Sequence, residues 1–332
     1  MYNIYNRRYI GSKYKLCRWI DELVSKYCCG ESLFDVFAGT GVVSYTLLSR
    51  FRHIIMNDFL FSNEVIYKAF FMHGDYCPKL ITEYQKMFAT FVPNAINDNY
   101  FSANFGGNFF NYDDAKLIGC IREQLETDRN NFSEKEFSIL LASLLYSADR
   151  CANTVGHYEA YIKNKPIPPR FAYALVTPVD DYVDVEIHRK DANELASKIS
   201  ADVCYIDPPY NSRQYSRFYH VLENLTKWEK PMLHGAALKL PEENMSDYCR
   251  CTASERFADL IDKLDTGYVV VSYNNTYASK SNSSRNKIEL EFIFDTLHDK
   301  GDTKVFEKPY QYFNAGKTDF ENHKEYLFIT QT

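Results

Sequence analysis

The sequence predicts an α/β fold: a doubly wound, Rossmann-like sheet interrupted by an inserted, mainly helical domain. Three observations predict it. A strand, a glycine turn, a helix and a second strand follow one another between Ser32 and Asp58. The same alternation resumes near Glu186 and runs to the end of the sequence. Between them, residues 59 to 186 span 128 positions, of which roughly 100 are surplus to a βαβ crossover.

The elements read as follows. Ser32 to Phe37 is a short apolar run that ends in Ala38-Gly39-Thr40-Gly41, and the helical pattern Val42, Val43, Tyr45, Thr46, Leu47, Leu48 comes next. His53 to Asn57 is a second strand with Asp58 at its carboxyl end. The stretch up to 186 shows Asn- and Phe-rich loop text from Asn94 to Asn111 and one clear helix. That helix opens on the capping box Ser133-Glu134-Lys135-Glu136. It carries an apolar stripe of Phe137, Leu140, Leu141, Leu144, Leu145 and Ala148, and ends at Asn153 to Gly156. After the prolines 166, 168, 169 and 178, a strand over Val185 to His188 leads to Asp191. A helix from Ala192 to Ile199 and a strand from Ala201 to Ile206 follow. A further strand ends at Tyr268 to Tyr273; a basic polar loop, a helix over Ile288 to Lys300 and strands near Thr303–Phe306 and Glu325–Ile329 complete the pattern. The expected domains are therefore 1–58 with 186–332, and an insertion over 59–185.

Composition narrows the class. Of 332 residues, 45% are hydrophobic and 25% charged, the balance of a globular protein. Aromatics reach 16%, enough that some lie near a surface where rings can stack on bases. A net charge of −6 argues mildly against nucleic acid, but the clustering of basic residues on one face matters more than the total. Nine cysteines without a CxxC pair or a histidine cluster predict free thiols in a reducing compartment and no metal site. The longest apolar helical stretch, Phe137 to Tyr146, is too short for a bilayer. With no signal-peptide core at the N-terminus, the expected location is the cytoplasm.

The sharpest motif is Asp207-Pro208-Pro209-Tyr210, directly after a predicted strand. The exocyclic amino nitrogen of a nucleobase has its lone pair delocalised into the ring and is a poor nucleophile. Two acceptors, one for each N–H, localise that pair toward an electrophile. Asp207 is acceptor-only when ionised. Pro208 offers a backbone carbonyl, and proline brings no competing N–H. The two prolines stiffen the loop, and Tyr210 offers a flat face for an extruded base. The plain structural reading is a turn, which Pro and Asp also mark. Placement favours chemistry, because ligands of open α/β sheets bind outside the carboxyl ends of strands. Phe37 to Gly41, Asp58, Asp191 and Asp207 all fall at such ends. The turn lacks the full GxGxxG spacing, so a nucleoside suits it better than a dinucleotide. Asp58, 17 residues after Gly41, is positioned for ribose hydroxyls.

Taken together, Tyr9-Ile10-Gly11-Ser12-Lys13, Phe37-Ala38-Gly39-Thr40-Gly41, a large insertion and Asp207-Pro208-Pro209-Tyr210 resemble the adenine-specific DNA methyltransferases of the Dam-like, or D12, class. Their order is similar to the alpha group of amino-methyltransferases, and the resemblance covers nearly the whole chain. It implies a methyltransferase sheet that binds S-adenosyl-L-methionine, an insertion that recognises double-stranded DNA, and methylation of a flipped-out adenine. It assigns Tyr9, Gly11, Ser12 and Lys13 to the cofactor, with Lys13 near its carboxylate. Phe37, Ala38, Gly39, Thr40 and Gly41 would form the cofactor turn, with Asp58 on the ribose. Asp191 with Ala192 would hold the cofactor adenine, Asp207 would border it, and residues 207 to 210 would be catalytic. Ser12 stands where the Dam enzymes have glycine. This departure points to restriction–modification enzymes, with a cognate endonuclease as a partner, and leaves the target sequence open.

Further residues are candidates for DNA contact: Arg150, Asn153 and His157 after the inserted helix, Arg213 and Tyr215 after the catalytic turn, and Lys280, Arg285 and Lys287 in the basic loop. Each also has a plain reading as a cap or a solvated loop. Three other functions share the motif: an RNA methyltransferase, a cytosine-N4 methyltransferase, and a non-catalytic DNA-binding subunit of the same fold.

Overall fold

Seven strands form one sheet in the order β3-β2-β1-β4-β5-β7-β6. They are β1 (Ser32–Asp35), β2 (His53–Asn57), β3 (Asp184–His188), β4 (Ser200–Ile206), β5 (Asp265–Asn274), β6 (Asp302–Pro309) and β7 (Lys324–Gln331). The structure is a computed structural model and describes residues 1–179, 183–210, 212–275, 287–309 and 323–332. β1 to β5 run parallel; β7 lies antiparallel between β5 and β6. This is the doubly wound α/β fold the sequence predicts. The strand order reverses between β1 and β4, which is where such sheets open a crevice for ligands.

Alternation along the strands sorts side chains to two faces. One face carries Phe34, Cys204, Ile206, Val269, Val271 and Phe328. These pack with Ala192, Leu195, Phe257, Leu260, Ile293 and Leu297 into one buried core. The helical members belong to α8 (Ala192–Ala196), α11 (Ala253–Lys263) and α12 (Leu290–Lys300). The other face is less uniform. The register sets Asp35 beside Tyr205 and, further along the sheet, Asn274 beside Glu325, so this face carries buried polar groups on β1, β4, β5 and β7. Two helices pack on one another: α1 (Cys17–Tyr27), which the sequence pattern does not show, and α2 (Val42–Leu47), the helix predicted after the glycine turn.

The chain divides into two compact units. The α/β unit comprises Lys13–Phe59, Asp181–Gln214 and Asn244–Thr332. The helical unit comprises Met1–Ser12, Leu60–Asp180 and Tyr215–Glu243. It thus takes two pieces that lie outside the 59–185 insertion expected from spacing.

The sequence pattern shows one helix in that insertion, and its described residues form five α-helices. They are α3 (Phe61–Phe71), α4 (Pro78–Ala89), α5 (Tyr100–Phe105), α6 (Tyr112–Thr127) and α7 (Glu134–Cys151). The Asn-rich text from 94 to 111 is not simply loop. Asn99 caps α5, and Asn111 caps α6 by accepting from the Asp113 and Asp114 amides. Phe101, Phe105 and Phe109, spaced by four, are fully buried. α3 was hidden because it is apolar on most sides and shows little periodic contrast. α7 has the expected capping box: the Ser133 hydroxyl accepts from the Glu136 amide at 3.2 Å, and Glu136 Oε2 accepts from the Ser133 amide at 2.8 Å. It is buried along most of its length and packs against α3, α6 and α10 (His220–Lys227).

Side chains lock the three pieces of the helical unit together. The Glu223 carboxylate on α10 accepts from the amides of Phe61 (3.0 Å) and Ser62 (2.9 Å), which caps the start of α3. The buried Arg122 guanidinium on α6 donates to the carbonyls of Leu225 (2.8 Å) and Thr226 (3.2 Å) at the end of α10. Arg8 pairs with Asp149 at the end of α7.

Candidate active site

The carboxyl edge of the α/β unit gathers most of the predicted residues. After β1 the chain turns through Phe37 to Gly41. Gly39 (φ 53°) and Gly41 (φ 75°) both adopt the left-handed conformation, which glycine reaches without a steric penalty. Asp58, at the end of β2, accepts from the Gly39 amide through Oδ2 at 3.0 Å. Asn57 braces the same edge: its side chain bonds the Val36 and Lys190 carbonyls and the Lys190 amide. Asp191 caps α8, accepting from the amides of Asn193 (3.0 Å) and Glu194 (3.1 Å) through Oδ1. Ala192 is buried in the core behind it. Phe37 meets the buried Tyr248 edge to face, with ring centroids 5.0 Å apart. The Tyr248 hydroxyl donates to Asn193 Oδ1 at 2.9 Å. Tyr248 follows no motif, and its place at this edge was not legible beforehand.

Asp207 to Tyr210 leave β4 at the switch point. Lys13, almost fully buried, sets its ammonium 3.0 Å from Asp207 Oδ1 and 3.8 Å from Glu325 Oε2. The Tyr210 hydroxyl donates to Asp207 Oδ1 and takes a hydrogen bond from Lys13 Nζ. Both contacts converge on Oδ1, which leaves Oδ2 as the oxygen that can accept from a substrate. Burial pushes the Asp207 carboxyl above its usual range, while Lys13 and the Tyr210 hydroxyl pull it back down. Burial and the neighbouring carboxylates raise the Tyr210 phenol well above its ordinary value, so it stays protonated and remains a donor. The Tyr210 ring packs edge-on against Tyr273 on β5, with centroids 4.8 Å apart. The Lys287 amide donates to the Tyr210 carbonyl at 2.8 Å and pins the turn from its far side. Glu325, on β7, escaped the sequence reading: a single acid inside an otherwise apolar strand gives no pattern.

The other predicted residues are distributed differently. Lys13 belongs to the α/β unit, while Tyr9, Gly11 and Ser12 belong to the helical unit. Tyr9 stacks on Tyr219 (centroids 4.7 Å apart) and on Tyr215 (5.3 Å), with the Arg7 guanidinium over its ring. Gly11 is left-handed (φ 82°), and a Cβ there would come within 3.0 Å of the Tyr215 hydroxyl. Two of the DNA-contact candidates make contacts within the helical unit. Asn153 is buried, and its amide hydrogens go to the carbonyls of Asn108 and Ile162, both at 2.9 Å, so it ties a loop together. Tyr215 has a ring face on Tyr9, and its hydroxyl donates to the Ile10 carbonyl at 3.2 Å. His157 stacks on Phe218, with centroids 4.9 Å apart. Arg150 is exposed and Arg213 half-buried. Lys280 and Arg285 lie outside the described residues.

The sequence from 9 to 278 matches the family described as D12 class N6 adenine-specific DNA methyltransferase. Among its relatives, the modification methylase StsI of Streptococcus sanguinis is 33% identical over 98% of this chain and 52% of its own. The type II methyltransferase M.NlaIII of Neisseria lactamica is 30% identical over 97% and 98%. The type II methyltransferase M.CviAII of Paramecium bursaria Chlorella virus 1 is 30% identical over 97% of each. The chain spans about half the length of the first of these and nearly the whole length of the other two. No helix among the described residues is long and apolar enough to cross a membrane.

Proposed function

This chain belongs to the D12 class of N6 adenine-specific DNA methyltransferases, and on that premise we propose that it binds S-adenosyl-L-methionine at the carboxyl edge of its sheet and methylates an adenine extruded from double-stranded DNA. The residues present fit that cofactor. The left-handed Gly39 and Gly41 leave the backbone of the turn open to close approach. Asp58 and Asp191 stand at the ends of the next two strands, where a ribose and a purine ring can be held. Bound there, the cofactor supplies an electrophilic methyl group on a sulfonium.

The observation that carries the reading is the arrangement around Asp207. A carboxylate raised by burial would lose its charge, yet the Lys13 ammonium 3.0 Å away favours the ionised, acceptor-only form. Asp207 Oδ2 and the Pro208 carbonyl take the two amino hydrogens, which directs the nitrogen lone pair out of the adenine ring. Tyr210 presents its ring to the extruded base while its hydroxyl steadies Asp207. The amino nitrogen becomes acidic only after the methyl group has moved, so Asp207 works by orientation and polarisation and its proton load comes late.

Relatives named as modification methylases support a place in a restriction–modification system, with a cognate endonuclease as partner. Nine free cysteines support a reducing compartment, the cytoplasm. The helical unit supplies target recognition in this reading, with its exposed Arg150 as a candidate for phosphate contact; the half-buried Arg213 and Lys287 are candidates on the α/β unit.

The test is single-turnover transfer of labelled methyl groups to a DNA duplex at saturating cofactor. Asp207→Ala removes a preorganised acceptor and is expected to slow the step by on the order of 100- to 1000-fold, with cofactor affinity little changed. A rate within a few fold of the parent would remove Asp207 from the chemistry. Transfer to RNA in place of DNA would overturn the substrate.

A further inference from the structure

The polar face of the sheet holds more charge than the reaction as described employs. Lys13 stands between two carboxylates, Asp207 at 3.0 Å and Glu325 at 3.8 Å, and the Lys13 and Glu325 side chains are only 3% and 5% exposed. Glu325 Oε2 is buried and has no hydrogen-bond partner at ordinary geometry. A buried carboxylate with one oxygen unpaired is costly to retain, even with the hydrogen bond that Asn274 adds to it, and a packed apolar residue would serve the strand better. Other charges around it are engaged elsewhere. Lys308, its neighbour across the ladder on β6, carries its ammonium over the Trp19 ring. Lys324 pairs with Glu307 at 2.7 Å. On β5, the register partner of Glu325 is the uncharged Asn274. Among the described residues, the charged groups that face Glu325 are Lys13 and Asp207.

We propose that Glu325 is a positioning residue of the methyl-transfer site, which acts through Lys13 to set how much negative potential Asp207 presents to the substrate amino group. When Glu325 is neutral, the whole ammonium charge falls on Asp207 and quenches its carboxylate. When Glu325 is ionised, two carboxylates share one ammonium. Asp207 is then a stronger acceptor, and the cluster carries net negative charge. Methyl transfer moves positive charge from the donor sulfur to the amino nitrogen beside Asp207, so the ionised state of Glu325 favours the transition state. Burial and the Asp207 charge push Glu325 up to about 7, with Lys13 opposing. The favourable state is present above that pH and lost below it.

This inference rests on the assignment of Asp207 given above, and the experiment separates the two. Single-turnover methylation is followed from pH 6 to 9 at saturating cofactor and DNA for the parent, Glu325→Gln and Asp207→Ala. Glu325→Gln keeps the shape of the side chain and cannot ionise. The parent rate is expected to rise about tenfold through pH 7. Glu325→Gln is expected to stay at the lower level across the range, with parental cofactor affinity by calorimetry and a parental circular dichroism spectrum. Glu325→Asp, which restores an ionisable group, should recover a rise with pH. A Glu325→Gln profile that retains the parental step, or a loss traced wholly to weaker cofactor binding, would overturn the proposal. Full activity in Asp207→Ala would instead overturn the site itself.

Discussion

At the scale of single residues, the site depends on positions whose alternatives are excluded by geometry. Gly39 is left-handed and its amide is held by Asp58 at 3.0 Å. A β-branched residue there meets both a backbone penalty and a blocked approach. Gly39→Val is expected to weaken cofactor binding by at least tenfold in calorimetry while the protein stays folded; unchanged affinity would place the cofactor elsewhere. The sequence made this residue legible because a glycine turn after a strand has few other purposes. It made Asp207 legible for a similar reason, since two prolines after an acid confine the backbone. Glu325 and Tyr248 were not legible. Their places at this edge come from which elements pack together, and neighbouring residues say nothing of that. Asn153 and Tyr215, read from the sequence as candidates for DNA contact, also make hydrogen bonds and ring contacts within the helical unit.

At the scale of elements, β1 carries a cost at its carboxyl end. Asp35 is fully buried; the Ser44 hydroxyl donates to its Oδ2 at 2.6 Å, and Oδ1 has no partner. Burial pushes it up to about 7, against the Ser44 hydrogen bond, with Asp207 and Asp58 adding repulsion. The unfolded carboxyl ionises near 3.9. The folded state therefore binds this proton more tightly. The contribution to stability is complete below pH ~4 and lost as pH rises through about 7. Urea unfolding is expected to show stability falling between pH 5 and pH 8. Asp35→Asn should remove about 2–3 kcal/mol of that fall, with Glu325 leaving a residual slope of the same sign. A slope identical to the parent would mean that Asp35 is already ionised at pH 5. The strands themselves were well marked in sequence because β1, β4 and β5 are near-continuous apolar runs, as parallel strands covered on both faces are. The helices α3, α5 and α6 were not, since burial on several sides or interleaved Asn and Gly erases the periodic contrast that betrays a half-exposed helix.

At the scale of the whole molecule, the helical unit is not a single inserted cassette. Its pieces are joined by Arg8–Asp149, by Glu223 at the start of α3, by Arg122 at the end of α10, and by the Tyr158 amide on the Phe218 carbonyl at 2.7 Å. Exchange of residues 60–180 alone with those of a relative of different specificity would split these pairs between two parents. Such a chimera is expected to be poorly folded. Exchange of Met1–Ser12, Leu60–Asp180 and Tyr215–Glu243 together should fold and move the methylated sequence, read by mapping methylated adenines on a plasmid. Parental specificity in that folded, active chimera would assign base reading to the α/β unit. The insertion was legible from length alone; its two extra pieces were not, because nothing in the text near 1–12 or 215–243 marks which unit they join.

The ammonium of Lys13 and the carboxylate of Glu325 meet at 3.8 Å although the whole of the intervening chain separates them. On a ribosome that adds 5–20 residues per second, roughly 15 to 60 seconds pass between the two. β7 must also enter between β5 and β6 before the second carboxylate reaches its ammonium. Through that interval the nascent chain already carries its glycine turn and Asp207 but not the finished charge cluster. The charge cluster is therefore completed only once β7 has been made and has paired with its two neighbours.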